Sequence, residues 1–329
     1  MIKTIIILLL FVTKMAHATS PCCELPETKN SMRVLAPIGL MGDHTHKGNG
    51  MMLSYRYMTM SMEGITDGAS TINENDYFSR TSYMMAPKSM DRKVHMFGGM
   101  YGLTEKVSLA LMIPQIENNM TMVKKMGREE VKSSSKGLGD IVINSLYKLE
   151  SEENVQMVLA TGLSVPTGSI NEEDNGSKLG YNMQLGSGSY GLNLMLTYTK
   201  SFDFWSLGSQ IGLINYLNQN TNDYKRGNQY HLSFWATRRV NDKLYSSLRI
   251  QQKNIDPIQS DEDSISNMSP SFNPKANHGF RRFAFLGAAY HIKGNKLEFE
   301  YGMPIGYQLA DYQLAPQNML TLAWRRGFH

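Results

Sequence analysis

The sequence of 329 residues has few cysteines and only one strongly apolar run. Its two cysteines, Cys22 and Cys23, are adjacent, so they cannot link distant parts of a folded core. The apolar run, Ile5 to Val12, has eight residues, whereas a helix that crosses a bilayer needs about 20. These absences exclude a disulfide-stabilised scaffold and a protein that spans a membrane with helices.

The chain also lacks a large excess of one sign of charge, because its formal net charge is only +4 at pH 7. The chain has no basic run of the kind that binds nucleic acid, so we expect no nucleic-acid partner. It also has no Pro-rich, Gly/Ser-rich or charged linker. We therefore expect one structural unit.

The first residues are typical of an exported protein. Lys3 precedes the apolar run, and Ala16-His17-Ala18 supplies the small residues that a signal peptidase accepts. We predict a signal peptide over residues 1–18 and a periplasmic N-terminal segment over 19–48. Without a membrane helix, integration into a membrane requires a closed β-barrel, the other fold that pairs all backbone polar groups in lipid.

The rest of the chain alternates apolar and polar residues with period two, which indicates β-strands. Leu192 and Leu194, for example, share one predicted face, and Asn193 and Thr197 share the other. Twelve strands are predicted, over residues 49–62, 92–103, 106–116, 137–149, 154–165, 190–200, 203–217, 227–239, 243–253, 280–292, 295–303 and 317–328.

The connections between these strands are alternately short and long. Thr104-Glu105 and Asn241-Asp242 are short turns, whereas 63–91 and 254–279 are long and polar. This alternation predicts an all-β fold over residues 49–329: a transmembrane antiparallel up-and-down barrel of about 12 strands, with periplasmic turns and extracellular loops. We expect it in the outer membrane of a Gram-negative bacterium, with membrane lipid and the barrel-assembly machinery as partners.

Several motifs then carry a family resemblance, and they occur in the family's order. They are Ala36-Pro37-Ile38-Gly39-Leu40-Met41-Gly42-Asp43-His44-Thr45-His46-Lys47, His95-Met96-Phe97-Gly98-Gly99-Met100-Tyr101-Gly102, Gly137-Leu138-Gly139-Asp140, Leu163-Ser164-Val165-Pro166-Thr167-Gly168-Ser169 and Met183-Gln184-Leu185-Gly186-Ser187-Gly188. The chain resembles an outer-membrane transporter family named for the meta-pathway of phenol degradation. The resemblance covers about 290 residues and implies an outer-membrane barrel with a transport role.

Methionine is the unusual residue of this sequence, since 16 of its 24 methionines lie between Met32 and Met126. Met58, Met60 and Met62 share one strand face with Arg56. An arginine directed at lipid is costly. We therefore predict that Arg56 and these three methionines line the lumen.

Thioethers are soft ligands that select Cu(I), and the upstream residues Asp43, His44 and His46 add ligands that suit Cu(II) or Zn. One hypothesis is a metal site formed by these three residues with Met58, Met60 and Met62. In the alternative interpretation, the methionines are flexible apolar filler and the histidines are solvated. Copper is thus the one cofactor considered, and no other is predicted.

The functional prediction is a channel or transporter for small solutes, with the solute left open. The first alternative is a copper-handling outer-membrane protein. The second is a barrel enzyme of the lipase or protease type, but the eight histidines are scattered and no serine lies in a Gly-x-Ser-x-Gly elbow. We therefore expect no enzymatic activity and no catalytic residue.

Overall fold

The computed structural model describes residues 36–152, 154–260 and 268–328. The predicted signal peptide, Cys22 and Cys23 lie outside these residues. Within the described part of the chain, no helix combines the length and the hydropathy needed to cross a membrane.

Twelve antiparallel strands form a closed barrel in which neighbours in sequence are neighbours in space. The strands are β1 Met51–Asp67, β2 Met85–Gly102, β3 Val107–Lys124, β4 Ile141–Ser151, β5 Val155–Val165, β6 Gly191–Ser201, β7 Trp205–Tyr216, β8 Gln229–Arg239, β9 Leu244–Ile255, β10 Gly279–Ile292, β11 Asn295–Leu309 and β12 Leu314–Phe328. The barrel closes where β12 pairs with β1. Glu130–Leu138 precedes β4 and also pairs with β3, which leaves a break at residues 139–140.

The predicted fold class is confirmed, and each predicted strand overlaps one strand of the barrel. The predicted boundaries were wrong at the strand ends that adjoin the long connections, because β1 continues to Asp67, β2 begins at Met85 and β3 continues to Lys124. These extensions are paired, from Glu63 with Ser89 to Met85 with Lys124, with one register shift between Pro87 and Ser89. Strands pair through backbone hydrogen bonds, which do not require apolar side chains. Polar strand ends therefore resemble loops in the sequence.

The two faces of the barrel wall differ in polarity. On β6, Leu192 and Leu194 are 45% and 44% exposed, whereas Asn193 is 5% and Thr197 1% exposed. The same outward apolar pattern recurs around the barrel at Leu207, Ile211, Phe234, Leu248, Leu286 and Phe299. An exposed apolar belt on a closed barrel is the surface that contacts lipid.

The long connections fold over one end of the barrel, which we call the long-loop end; the opposite end is the short-turn end. Helix α1, Glu74–Arg80, begins at Asn73, whose side chain accepts a hydrogen bond of 2.9 Å from the Asp76 N–H. Its Tyr77 packs in a buried cluster with Tyr83. The other elements of this end are Ser70–Ile72, Tyr181–Met183, Pro270–Phe272 and Pro274–Ala276, with the paired segments Glu173–Asp174 and Ser177–Lys178, and Tyr224–Lys225 and Gln259–Ser260.

Residues 36–48, which we call the plug, lie inside the barrel at the short-turn end. The Gln210 amide donates to the Met41 carbonyl at 2.8 Å, and the Thr197 hydroxyl donates to the Gly42 carbonyl at 3.3 Å. The His46 N–H donates to the Ser108 hydroxyl at 2.9 Å. Residues 19–48 are predicted to be periplasmic, but their described part, 36–48, occupies the lumen, where the inward polar side chains of β3, β6 and β7 bind its backbone.

Candidate functional site: the barrel lumen

The lumen has two halves. Both are lined by the inward side chains, which are every second residue along each strand. The plug fills the short-turn half. The long-loop half contains a cavity of about 340 Å³. Beside the plug lies a layer of buried ion pairs on β9, β11 and β12.

Two glutamates of β11 carry this layer. Glu300 accepts two hydrogen bonds from the Arg249 guanidinium, at 2.9 and 2.7 Å. Glu298 accepts two from Arg325, at 2.5 and 2.8 Å, and pairs with Lys296 at 2.7 Å. All five side chains are almost fully buried. Buried charges are tolerated when they are paired in this way.

The plug lies directly on the ion-pair layer. A methyl group at Gly39 would collide with the Arg249 guanidinium and the Glu300 carboxylate, so a larger residue there would displace the ion pair or the plug. The Arg56 guanidinium donates to the Leu40 carbonyl at 3.5 Å. The backbone of the plug therefore follows the charged wall closely.

Asp43 is the charged group of the plug. Its carboxylate lies 3.0 Å from the His44 ring. Burial opposes its charge, but the interactions of the carboxylate with His44, Arg325 and Lys296 outweigh burial and hold the pKa of the Asp43 carboxyl well below its usual range. Asp43 thus remains an anion against the positive side of the ion-pair layer.

The structure places Arg56, Met58, Met60 and Met62 on one face of β1. Arg56 contributes to the pocket beside the plug, together with Asp43 and His44. Met58 is opposite Thr321, which is 4% exposed, so it shares that inward face. Met60 and Met62 line the cavity at the long-loop end.

The residues of the hypothetical metal site are divided between the two halves of the lumen. The rings of His44 and His46 have centroids 5.3 Å apart, and His46 is only 3% exposed. Met60 and Met62 belong to the other half. Among the described residues, no three His, Cys, Asp or Glu side chains form a group that could hold a metal ion.

A row of methionines crosses neighbouring strands in the cavity. Met90 of β2 is directly opposite Met62 of β1 on one side and Met120 of β3 on the other. Met122 and Met183 join the same buried cluster. The sequence analysis noted the spacing of Met60 and Met62 but missed Met90, because cross-strand register is not visible in a single strand.

Four positively charged side chains also line the cavity, and the sequence analysis missed all of them. They are Arg92, Arg226, Lys253 and Arg281. The described residues that line the cavity include no aspartate or glutamate. The alternation of side chains along a strand could have located two of them, because Lys253 and Arg281 occupy inward positions of β9 and β10.

Several solved structures of other proteins are similar to this chain. An outer-membrane channel from Pseudomonas putida F1 is 13% identical, with a TM-score of 0.61, and the alignment covers 92% of this chain and 99% of that chain. A FadL homologue from Pseudomonas aeruginosa is 10% identical, with coverage of 85% and 91% and a TM-score of 0.43. The toluene transporter TodX of P. putida is 8% identical, with coverage of 86% and 90% and a TM-score of 0.41.

Two of these structures are described as a channel and a transporter, not as enzymes. Among curated proteins, no sequence matches this chain. The profile of the family described as "Putative MetA-pathway of phenol degradation" matches residues 88–272, more than half of the chain. The resemblance predicted from the sequence is confirmed, and the chain belongs to this family, here as a 12-stranded outer-membrane β-barrel.

Proposed function

We propose that the protein is an outer-membrane channel for small solutes and not an enzyme. The observation that carries this proposal is the lumen of the closed barrel, which combines a cavity of about 340 Å³ with a plug of 13 residues, 36–48. A cavity of this size accepts a small molecule. The proposed partners are that solute, the outer-membrane lipid and the barrel-assembly machinery, with no nucleic acid.

The attachment of the plug supports a gated path. The hydrogen bonds from Ser108, Thr197 and Gln210 all involve plug backbone groups. Each such bond contributes about 1 kcal/mol. Because each of these bonds is weak, the segment can move aside while the ladder of strand pairs stays intact.

The test is conductance of the refolded mature protein in planar bilayers. The Thr197→Val/Gln210→Leu variant removes the two donors that bind the Met41 and Gly42 carbonyls, so we expect a larger conductance or more frequent openings than in the unsubstituted protein. Thr199→Val is the matched control, because Thr199 is on the same face of β6, is 1% exposed and makes no hydrogen bond to the described plug. Silent bilayers for every protein, with heat-modifiable gel mobility proving that the barrels are folded, would reject the channel.

The methionine row supports copper handling as a second candidate, in which Met60, Met62 and Met90 offer thioethers to Cu(I). His44 and His46 would supply a separate imidazole site in the plug. The test is Cu(I) binding by the purified protein and by Met62→Leu/Met90→Leu/Met120→Leu, which keeps similar side-chain volume. We expect the variant to bind fewer Cu(I) ions. Equal copper content in both proteins would remove this candidate.

A further inference from the structure

The cavity at the long-loop end has two chemically different walls. One wall is apolar and contains the methionines of β1, β2 and β3, with Leu314 beside them. The other carries Lys253 and Arg281 with the amides of Gln229 and Gln251, and Arg92 borders the methionine wall. A molecule that satisfies both walls has an apolar body and a negatively charged end.

The positive wall brings like charges together. Lys253 of β9 and Arg281 of β10 are directly opposite in the register of the two strands. Two like charges in this relationship repel each other and destabilise the sheet. Arg92 of β2 is opposite Met60 and also lines the cavity. Because three cations face one cavity, an anion that binds there stabilises the structure by offsetting their repulsion.

The hydrogen bonds of these cations leave capacity for an anion. Arg281 donates to the Gln313 amide oxygen at 3.0 Å, and Arg226 donates to two backbone carbonyl oxygens of the loop segment 181–186. Over the residues that the structure describes, the side chains of Arg92 and Lys253 form no hydrogen bond or ion pair, and the Nε atoms of Arg92, Arg226 and Arg281 are buried without an acceptor.

We propose that this cavity binds an amphipathic organic acid, with its carboxylate at Lys253, Arg281 and Arg92 and its apolar body against the methionine wall. The proposal rests on the channel function and names the class of solute. A guanidinium binds a carboxylate through two parallel hydrogen bonds. The flexible thioethers of the opposite wall adapt to apolar groups of different shape. The volume of about 340 Å³ lies at the lower end of the range for small-ligand sites, about 300–1,000 Å³.

The first experiment compares three soluble probes of one shape and different charge: benzoate, benzyl alcohol and benzylammonium. Binding to the full mature protein in lipid nanodiscs is measured by calorimetry, with empty nanodiscs subtracted. We expect benzoate to bind at least about tenfold more tightly than benzyl alcohol, the ratio that one charged hydrogen bond provides, and benzylammonium not to bind. Acetate, which lacks the apolar body, should bind more weakly than benzoate. Equal affinity for benzoate and benzyl alcohol would overturn the proposal.

The second experiment removes the charges. Lys253→Gln/Arg281→Gln should weaken benzoate binding by about tenfold or more and leave benzyl alcohol unchanged. Lys132→Gln/Lys178→Gln is the matched control, because it removes two positive charges from exposed positions of this end that do not line the cavity. Should the double variant not fold, Arg92→Gln provides the same comparison with one charge. Unchanged benzoate affinity in a folded variant contradicts the proposal.

A triple variant tests whether acidic residues of the chain itself compete with benzoate for these cations. Asp261, Glu262 and Asp263 lie outside the described residues, and their combined change to Asn, Gln and Asn should leave benzoate affinity within about twofold, a difference of less than half a kcal/mol. Benzoate binding that appears only in this triple variant would overturn the proposal.

The two proposals fail in different ways. Ion conductance without a preference for benzoate would reject the organic acid and keep the channel. Benzoate binding without conductance or benzoate uptake by proteoliposomes would reject the channel and keep the binding site.

Discussion

Arg249 and Glu300 form a two-bond ion pair on the barrel wall, at 2.9 and 2.7 Å, and the plug turns against that pair at Gly39. The Arg249 guanidinium also lies 3.8 Å from the centre of the Phe285 ring. One face of the pair thus contacts an aromatic side chain, and the other contacts peptide backbone. This arrangement couples the charge layer of the barrel to the position of the plug.

The Gly39→Ala variant tests this coupling. The added methyl group would collide with both charged groups, so the plug or the ion pair must shift, and we expect a higher conductance in planar bilayers. Gly306→Ala is the matched control, because a methyl group there meets no atom within 4 Å. A plug that is irrelevant to conductance would give the same current in both variants.

The ion pair itself predicts a stability change. Arg249→Met leaves the Glu300 carboxylate buried without its partner, which costs about 3–5 kcal/mol of unfolding free energy. Arg249→Met/Glu300→Gln removes the unpaired charge, so we expect it to recover much of that loss. Urea unfolding in lipid vesicles, followed by tryptophan fluorescence, measures both. A single variant as stable as the unsubstituted protein would show that the pair is not desolvated.

The lowered pKa of Asp43 predicts that the stability of the folded protein depends on pH. A carboxyl with a lowered pKa in the folded state contributes stability above its ordinary value of about 3.9 and loses that contribution as the pH falls toward the folded value. We therefore expect the folded protein to be more stable than Asp43→Asn at pH 7, with the difference shrinking below about pH 4. A difference that stays constant between pH 7 and pH 3 would contradict the assigned ionisation.

The outer wall makes a prediction about lipid. Leu194 is 44% exposed on the outward face of β6, and an arginine at the middle of the bilayer costs about 2–4 kcal/mol. Leu194→Arg should lower the yield of folded barrel in vesicles, whereas Leu194→Phe should fold normally. The folded fraction is read from heat-modifiable mobility on gels. Equal yields for the two variants would mean that this face does not contact lipid.

The strand pattern and the lengths of the connections were predictable because the bilayer imposes them locally. Alternation along β6 separates Leu192 and Leu194 from Asn193, and each short turn lies between strands that pair in the structure. The family was recognisable for a similar reason, since its motifs are contiguous. These features depend on residues that are close in sequence.

The contents of the lumen were decided by tertiary structure alone. Barrel closure brings Gly39 of the plug onto Arg249 of β9 and Glu300 of β11, and it gathers Arg92 and Lys253 around one cavity. These residues are far apart in sequence, and their distances depend on the register of all twelve strands. The sequence by itself therefore determined a barrel in a membrane, whereas only the closed structure determined what the barrel encloses.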